Sequence, residues 1–575
     1  MTSSPPRRQK AAAGAAKTAR PSTTQTPSER EHPKSARPRA KGSKATPPSK
    51  EGALVLSWSL HELPSSQHKA GLAGLALWLR YLKRSQLEQG TCELQELTEG
   101  ALTLKVDRAG MQALFDRVYF AHQEQVERDK KLQKKLADGR KVDAEFLHEV
   151  TRPVTDKKGA TKDKTFYIYE QTVPRGELIA DWDESPTKLW LKLWRDMVWS
   201  ILRGVPATRE PYDARAEKRP CDDGGEAWDE LAHNAEQGAE LPSTYYLGAQ
   251  AKSAENVSFR DRMRYRFLLH FWPFAVPIYV PAVLDREGKR DFSGFVLAVP
   301  DITDLEDFVE SWDGFMRRRG QEVSGYRPRD AVVDVAAESA LDVSARVFDL
   351  IEKRSISTAP WIGSVDTYHL EKDGNNVRLR SISRVELRRE LVGPYRHART
   401  SFWSPQFRRQ AILNILEDEP WWRGFGRLCS VIPEEQTIRD KNFRHDCREA
   451  FTQERIMTDS EPEKATSLEA IVFKIARAYV LGRLKSKYDL DWTNASKSED
   501  GKSSYNDKKD KIAREAFLSV RSRTGADFVA YFTGTLCSIN QRIGQDGYLT
   551  MAQALRDEAR LEQIRSLTLL ALSAV

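Results

Sequence analysis

Apolar and polar positions fall into blocks along this chain, each with its own period. Ala53-Leu54-Val55-Leu56-Ser57-Trp58 reads as a strand, and Ala101-Leu102-Thr103-Leu104-Lys105-Val106 alternates with the period of two that half-buries one. Between them, Leu63-Pro64-Ser65-Ser66-Gln67-His68 predicts a turn and a helix start with a serine near the cap, the helix running on to Tyr81. Gly71 and Gly74 weaken that helix, so their expected use is close approach by another backbone. A long helix is expected from about Arg108 to Leu136, with Lys130, Lys131, Lys134 and Lys135 on one solvated side. Residues 150–170 predict a hairpin with its tip at Asp156–Gly159. Trp190, Leu193, Trp194 and Met197 sit at helical spacing, a stripe that reads as core. Residues 205–256 are polar and acidic without clear periodicity and predict a surface insertion. Phe292–Val299 predicts a buried strand, and Asp304–Arg319 a helix whose Asp304 and Asp307 suit its start.

The last part of the chain is the clearest unit. Thr466 with Glu469 reads as a capping box, after which Leu468, Ile471, Val472, Ile475 and Tyr479 line one helical face. Residues 489–508 read as a polar loop, and helical patterns follow at 509–523, 526–542 and 549–573, with Gly525 and Gly544 at the breaks. Four amphipathic helices predict a four-helix bundle. The expected fold class is thus α+β and multidomain: a tail over 1–51, a mixed domain over 52–300, a central region over 301–440 and a helical bundle over 441–575.

Composition sharpens this reading. With 575 residues, 40% of them hydrophobic and 30% charged, the chain can build several sizeable cores. Five widely spaced cysteines argue against a disulfide framework or a zinc module and for a reducing cytoplasm. The longest apolar run, Phe271–Leu284, is broken by three prolines and is shorter than the roughly 20 residues of a membrane span. The net charge of +8 belongs to the first 50 residues, which hold 12 Lys/Arg against Glu29 and Glu31. Such a segment cannot bury enough surface to order itself, and its charge suits salt-dependent contact with nucleic acid or simple solubilisation. The remainder is nearly neutral, so any polyanion site there requires segregated charge.

That segregation is visible between Gly374 and Arg409. Nine arginines (Arg378, Arg380, Arg384, Arg388, Arg389, Arg396, Arg399, Arg408 and Arg409) face only Glu386 and Glu390, with Tyr395, Phe402, Trp403 and Phe407 interleaved. Guanidinium groups grip phosphate through paired hydrogen bonds, and neighbouring aromatics accept unpaired bases. The bland reading is salt bridging to acidic stretches such as 301–310. A second candidate is Arg262-Met263-Arg264-Tyr265-Arg266-Phe267, which as a strand would put three arginines on one face. The third, Arg317-Arg318-Arg319, ends a helix, where cations also complement the dipole. Catalytic signatures are missing: there is no P-loop, no GxSxG and no HExxH, and His61 and His68 read as turn or core residues. No cofactor is implied. A metal-dependent nuclease assembled from scattered carboxylates and a stand-alone DNA-associated regulator stay open as alternatives.

The segment Ser57-Trp58-Ser59-Leu60-His61-Glu62-Leu63-Pro64-Ser65-Ser66-Gln67-His68-Lys69-Ala70-Gly71-Leu72-Ala73-Gly74-Leu75 resembles the opening of the large subunit of type I CRISPR effector complexes (Cascade), in the Myxococcus-type subgroup. The strand Ala101–Leu104 and the helix around Leu114-Phe115-Asp116 are similar to that group as well. The resemblance implies a non-catalytic, cytoplasmic subunit of a complex built on guide RNA. Its partners would be target double-stranded DNA, Cascade backbone and guide-end-binding subunits, and a helicase-nuclease recruited in trans. Such a subunit inspects the motif flanking the target and holds the opened strands, while base pairing with the guide reads sequence. The resemblance also implies that the C-terminal bundle is similar to a separate small subunit. Met457, with Gln453-Glu454 upstream, stands where an internal start could release that unit. The basic tail and the 205–256 insertion depart from the family pattern.

Overall fold

Residues 278–284 and 295–302 are apolar on consecutive positions, which on a strand means that both faces must be covered. They form the middle of the main sheet, where residues 295–299 are all buried. In the computed structural model, residues 52–575 are described apart from 86–89, 136–139, 156–160, 203–208, 242–246, 248–259, 355–358, 374–375, 461–466 and 540–542. The tail over residues 1–50, the hairpin tip Asp156–Gly159 and Thr466 therefore lie outside the described residues.

Among the described residues, the main sheet has the order Arg290–Phe292, Ile278–Leu284, Phe295–Ile302, Ile362–Asp373, Asn376–Glu386, with Val332–Val333 pairing parallel to Ile278–Leu284. Asn376–Glu386 is an edge strand. Its antiparallel register with Ile362–Asp373 runs from Ser364↔Glu386 to Asp373↔Asn376, whereas Phe295–Ile302 pairs only as far as Leu370. The far end of this hairpin therefore projects past the neighbouring strand. Helices Ser66–Ser85 and Glu338–Arg354 pack on the sheet. The first of these makes the close approach expected of its glycines. A Cβ on Gly71 would fall 2.4 Å from the Leu268 carbonyl oxygen, and one on Gly74 would fall 2.1 Å from that of Phe271.

A three-stranded sheet, Leu54–Ser59, Ala101–Val106 and Cys92–Leu97, opens the chain as the alternation predicts. The long helix does not form. Arg108–Val118, capped by Asp107 accepting from the Gly110 N–H at 2.7 Å, stops where the apolar spacing stops. Ala121–Arg128 is instead a strand paired with Thr161–Pro174, which also pairs with His148–Thr155. The segment is rich in helix formers, but cross-strand pairing overrides propensity. The four lysines consequently lie on a turn and a small hairpin, Gln133–Lys135 with Lys141–Asp143, rather than along a helix. Residues 205–256 are less superficial than expected. They hold helices Arg209–Ala216 and Asp222–Asn234, whose Tyr212, Trp228 and Leu231 are core residues. The tryptophan-rich helix Leu189–Ser200 is buried, as its stripe predicts.

After Glu386 the described chain is helical. Ser467, one residue beyond the expected cap, accepts from the Ala470 N–H at 3.2 Å and starts Leu468–Tyr488, while Glu469 accepts from Gln563 at 3.0 Å. The polar stretch 489–508 is only partly a loop, because Ser498 caps a helix from Glu499 to Arg521. The final pattern splits at Asp557, giving Gly544–Ala554 and Glu558–Ala574. The last helix is buried on every side from Ile564 to Ala574, the mark of a central element. Helices Phe425–Val431, Lys441–Ser460, Leu468–Tyr488, Glu499–Arg521, Gly525–Gly534 and Gly544–Ala554 all pack against it. The four expected helices thus become a larger assembly around one axis. Among the described residues no helix is long and apolar enough to cross a membrane.

Candidate nucleic-acid interface

On the edge strand Asn376–Glu386, exposed on both faces from 377 to 382, Arg378, Arg380 and Arg384 stand in solvent, each with 50–59% of its side chain exposed. Val377, Leu379 and Ile382 on the same strand are exposed as well. Each arginine meets a carboxylate: Arg378 pairs with Asp373, Arg380 with Glu371, and Arg384 with Asp301 and, at 3.6 Å, with Asp366. Asp301 is a node. It also takes Lys69 at 2.6 Å from the first long helix, and Ser66 of that helix donates to Asp366 at 2.7 Å. Burial pushes the Asp301 carboxyl up, but Lys69 and Arg384 outweigh it and hold the group below the usual carboxylate range.

Beyond the strand the arginines diverge. Arg388 reaches Asp418 at 3.3 Å and Glu390 at 3.9 Å, Arg389 reaches Glu352 at 2.9 Å, and Arg396 pairs with Asp349, all near the surface. Arg409 is exposed, with no ion pair among the described residues. Arg399 and Arg408 turn inward. Arg399 bonds the fully buried Glu338 at 2.6 Å and the Val332 carbonyl at 2.7 Å, and Arg408 pairs with the buried Asp334, which Arg290 also meets at 3.0 Å. Burial raises the Glu338 carboxyl, and Arg399 opposes that rise. These two arginines are held by buried carboxylates, so the single arginine wall expected from the sequence is not what folds. The interleaved aromatics divide similarly. Tyr395, Phe402 and Phe407 are buried, whereas Trp403 is 57% exposed. Trp403 stacks on His445 at 3.9 Å, and its backbone N–H, with that of Ser404, donates to the buried Asp446.

The other two candidates are corrected further. Arg262–Phe267 is not a strand: after Arg260–Arg262 the chain forms helix Met263–Leu268, which sets Tyr265, Phe267 and Leu268 into the core. Arg262 pairs with Glu236 at 3.0 Å, Arg264 with Glu236 at 2.7 Å and Glu62 at 3.2 Å, and Arg266 with Glu230. Arg317 meets Asp181 at 2.8 Å and Asp313 at 3.1 Å. Arg319 is buried over the Trp190 ring at 3.5 Å and donates to the Ile278 carbonyl, and burial lowers it to about 10. Only Arg318 of that triplet is exposed. The stretch 301–310, expected to offer salt bridges, does so through Asp301, whereas sequence reasoning did not single out the carboxylates Asp334 and Glu338, which lie 74 and 61 positions from their arginines and give no local signal.

The signature Ser57–Leu75 proves to be an anchor. Ser66, Gln67 and His68 are buried. Gln67 accepts from the Leu247 N–H at 3.0 Å, and the two His68 ring nitrogens lie 2.8 Å from Ser65 Oγ and 2.7 Å from Asp261 Oδ2. Among the described residues no group of three or more His, Cys, Asp or Glu could hold a metal ion. No curated protein matches the chain. Two family models do: residues 91–356 match the Type I-B CRISPR Cas8b N-terminal domain, and residues 362–575 match the Type I-B CRISPR Cas8b C-terminal domain. Two consecutive matches in the family's own domain order, on a fold with a mixed first part and a helical last part, show that the chain belongs to the Type I-B CRISPR Cas8b family, the large subunits of Cascade complexes.

Proposed function

We propose that this large subunit inspects the target-flanking motif in duplex DNA and stabilises the opened strands. Sequence itself is read by guide-RNA pairing, in the division of labour known for RNA-guided effectors. Its partners are guide RNA, target DNA and the backbone and guide-end-binding subunits, and strand scission comes from a helicase-nuclease recruited in trans. The observation that carries the reading is the edge strand Asn376–Glu386, which sets three arginines and three apolar side chains in solvent. Surface ion pairs like those of Arg378 and Arg380 contribute about 0–1 kcal/mol, so phosphate can replace the carboxylate at little cost.

The test is the complex reconstituted with guide RNA and its other subunits, carrying Arg378→Ala, Arg380→Ala and Arg384→Ala together. Affinity for target duplex should fall and the salt slope should shrink by roughly 0.9 per lost phosphate contact. Permanganate reactivity of thymines in the opened region should fall in parallel. Unchanged affinity and slope overturn this use of the strand, and magnesium-dependent cleavage by the isolated chain overturns the non-catalytic assignment. The finer placement in a Myxococcus-type subgroup rests on Ser57–Leu75, which lies outside the matched residues. A repeat array and genes for backbone subunits should lie beside this one, and a neighbourhood without them counts against the Cascade reading.

A further inference from the structure

Three helices and the end of a fourth converge on an open cavity of about 580 Å³, within the ~300–1,000 Å³ of small-ligand sites. Helical spacing puts each wall in place: Arg448 and Phe451 on Lys441–Ser460, Phe473 and Arg477 on Leu468–Tyr488, Tyr505 and Lys509 on Glu499–Arg521. Trp492, on the short helix before the third of these, completes the rim. It is 52% exposed and meets Tyr505 at 5.2 Å between ring centroids, at 65°. The floor is Ala574 and Val575 of the last helix.

The charge of this cavity differs from that of the arginine segment, where nearly every guanidinium has a carboxylate. Among the described residues Arg477 and Lys509 make no ion pair, and Arg448 donates to the Ala574 carbonyl at 2.7 Å. The nearest carboxylate on the third wall, Asp510, spends both oxygens on Arg444, at 2.5 and 2.7 Å. Lys509 is held below its ordinary range by burial, and Arg448, Arg444 and Arg477 add to that against the pull of Asp510. A half-buried ammonium with guanidinium groups around it is stabilised by an incoming anion. The cavity therefore offers unsatisfied positive charge beside a half-exposed indole, the pairing by which proteins hold single-stranded polynucleotide.

We propose that this cavity holds one unpaired nucleotide of a polynucleotide strand, with its base against Trp492 and its phosphate against Arg477 and Lys509. The assignment rests on the nucleic-acid function proposed above and adds to it a second contact point, on the helical part of the chain. These residues were invisible as a cluster in the sequence because they are spread over five helices.

The test uses the full chain and labelled oligothymidylate, oligouridylate and duplex DNA, read by fluorescence anisotropy across a salt titration. Trp492→Ala should weaken oligothymidylate or oligouridylate binding roughly 5- to 150-fold, the fold-change that corresponds to about 1–3 kcal/mol per stacked base, while Trp492→Phe keeps most of it. Arg477→Ala and Lys509→Ala should each lower the single-strand salt slope by about 0.7 and leave the duplex slope unchanged. Which oligomer responds more tells displaced DNA from guide RNA. Photocrosslinking of an iodouracil-bearing strand should label Trp492 or Tyr505. If the wild-type chain binds both strand and duplex but all three alanine variants bind as it does, or if crosslinks fall only within residues 1–50, the cavity proposal is overturned. If the wild-type chain and its assembled complex bind no polynucleotide at all, the broader functional reading falls instead, and the cavity with it.

Discussion

Gly74→Ala sets two known effects against each other at one atom. Alanine is the better helix former by about 1 kcal/mol, so on propensity alone the variant is more stable. The new Cβ, however, would sit 2.1 Å from the Phe271 carbonyl oxygen and 2.7 Å from its carbon. Ordinary contact between such atoms is about 3.5 Å, so the two backbones must part by more than about 1 Å. Neither can yield cheaply. The Phe271 carbonyl is fixed in a turn, accepting from the Phe274 N–H at 3.1 Å, and the helix face around Gly74 is buried. Overpacking of this kind costs about 1–3 kcal/mol and more when only backbone can move. The net expectation is a loss of about 2 kcal/mol, with Gly71→Ala, 2.4 Å from the Leu268 carbonyl, similar or slightly milder. Urea unfolding of the full chain, followed by tryptophan fluorescence, measures it. A midpoint equal to or above wild type in Gly74→Ala would refute the close-approach argument.

Arg399→Ala should destabilise the fold by about 3–5 kcal/mol, since it strands the buried Glu338, and Arg408→Ala should cost less because Arg290 still meets Asp334, whereas Arg389→Ala should change stability by less than about 1 kcal/mol; chemical denaturation ranks the three. Arg388→Ala with Arg389→Ala should instead weaken DNA or guide-RNA binding and flatten its salt dependence in a filter-binding titration. Burial raises the Asp446 carboxyl to about 6 against the pull of the Trp403 N–H, His445 and the Ser404 N–H. Its folded value lies above the unfolded one, near 4, so its favourable contribution is full at acid pH and is lost as pH climbs from about 4 to 6. The difference in urea midpoint between wild type and Asp446→Asn should therefore change across that window and be flat above it.

The sequence made the local devices legible. Alternation marked Leu54–Ser59 and Ala101–Val106, the paired glycines announced a backbone crossing, and the stripe at Trp190–Met197 was core as its spacing required. What it obscured were choices settled by distant partners. Residues 121–128 have the composition of a helix and become a strand because Thr161–Pro174 lies alongside. The arginine segment counts as strongly basic only when counted alone. Asp301, Asp334 and Glu338 come from other elements and absorb Arg384, Arg408 and Arg399 in space. A local charge sum measures what a segment must find partners for, and says nothing of whether those partners are protein or phosphate.

The last helix, buried on every side from Ile564 to Ala574, has a consequence for how the chain is made. Six helices before it leave the ribosome with their stripes uncovered, because the axle they turn about is translated after all of them. Until Ile564–Ala574 emerges, the helical part is a set of staves without a hub, and its greasy sides face solvent or a holdase. Maturation of this region is therefore gated by the emergence of Ile564–Ala574 rather than by the order in which the earlier helices appear.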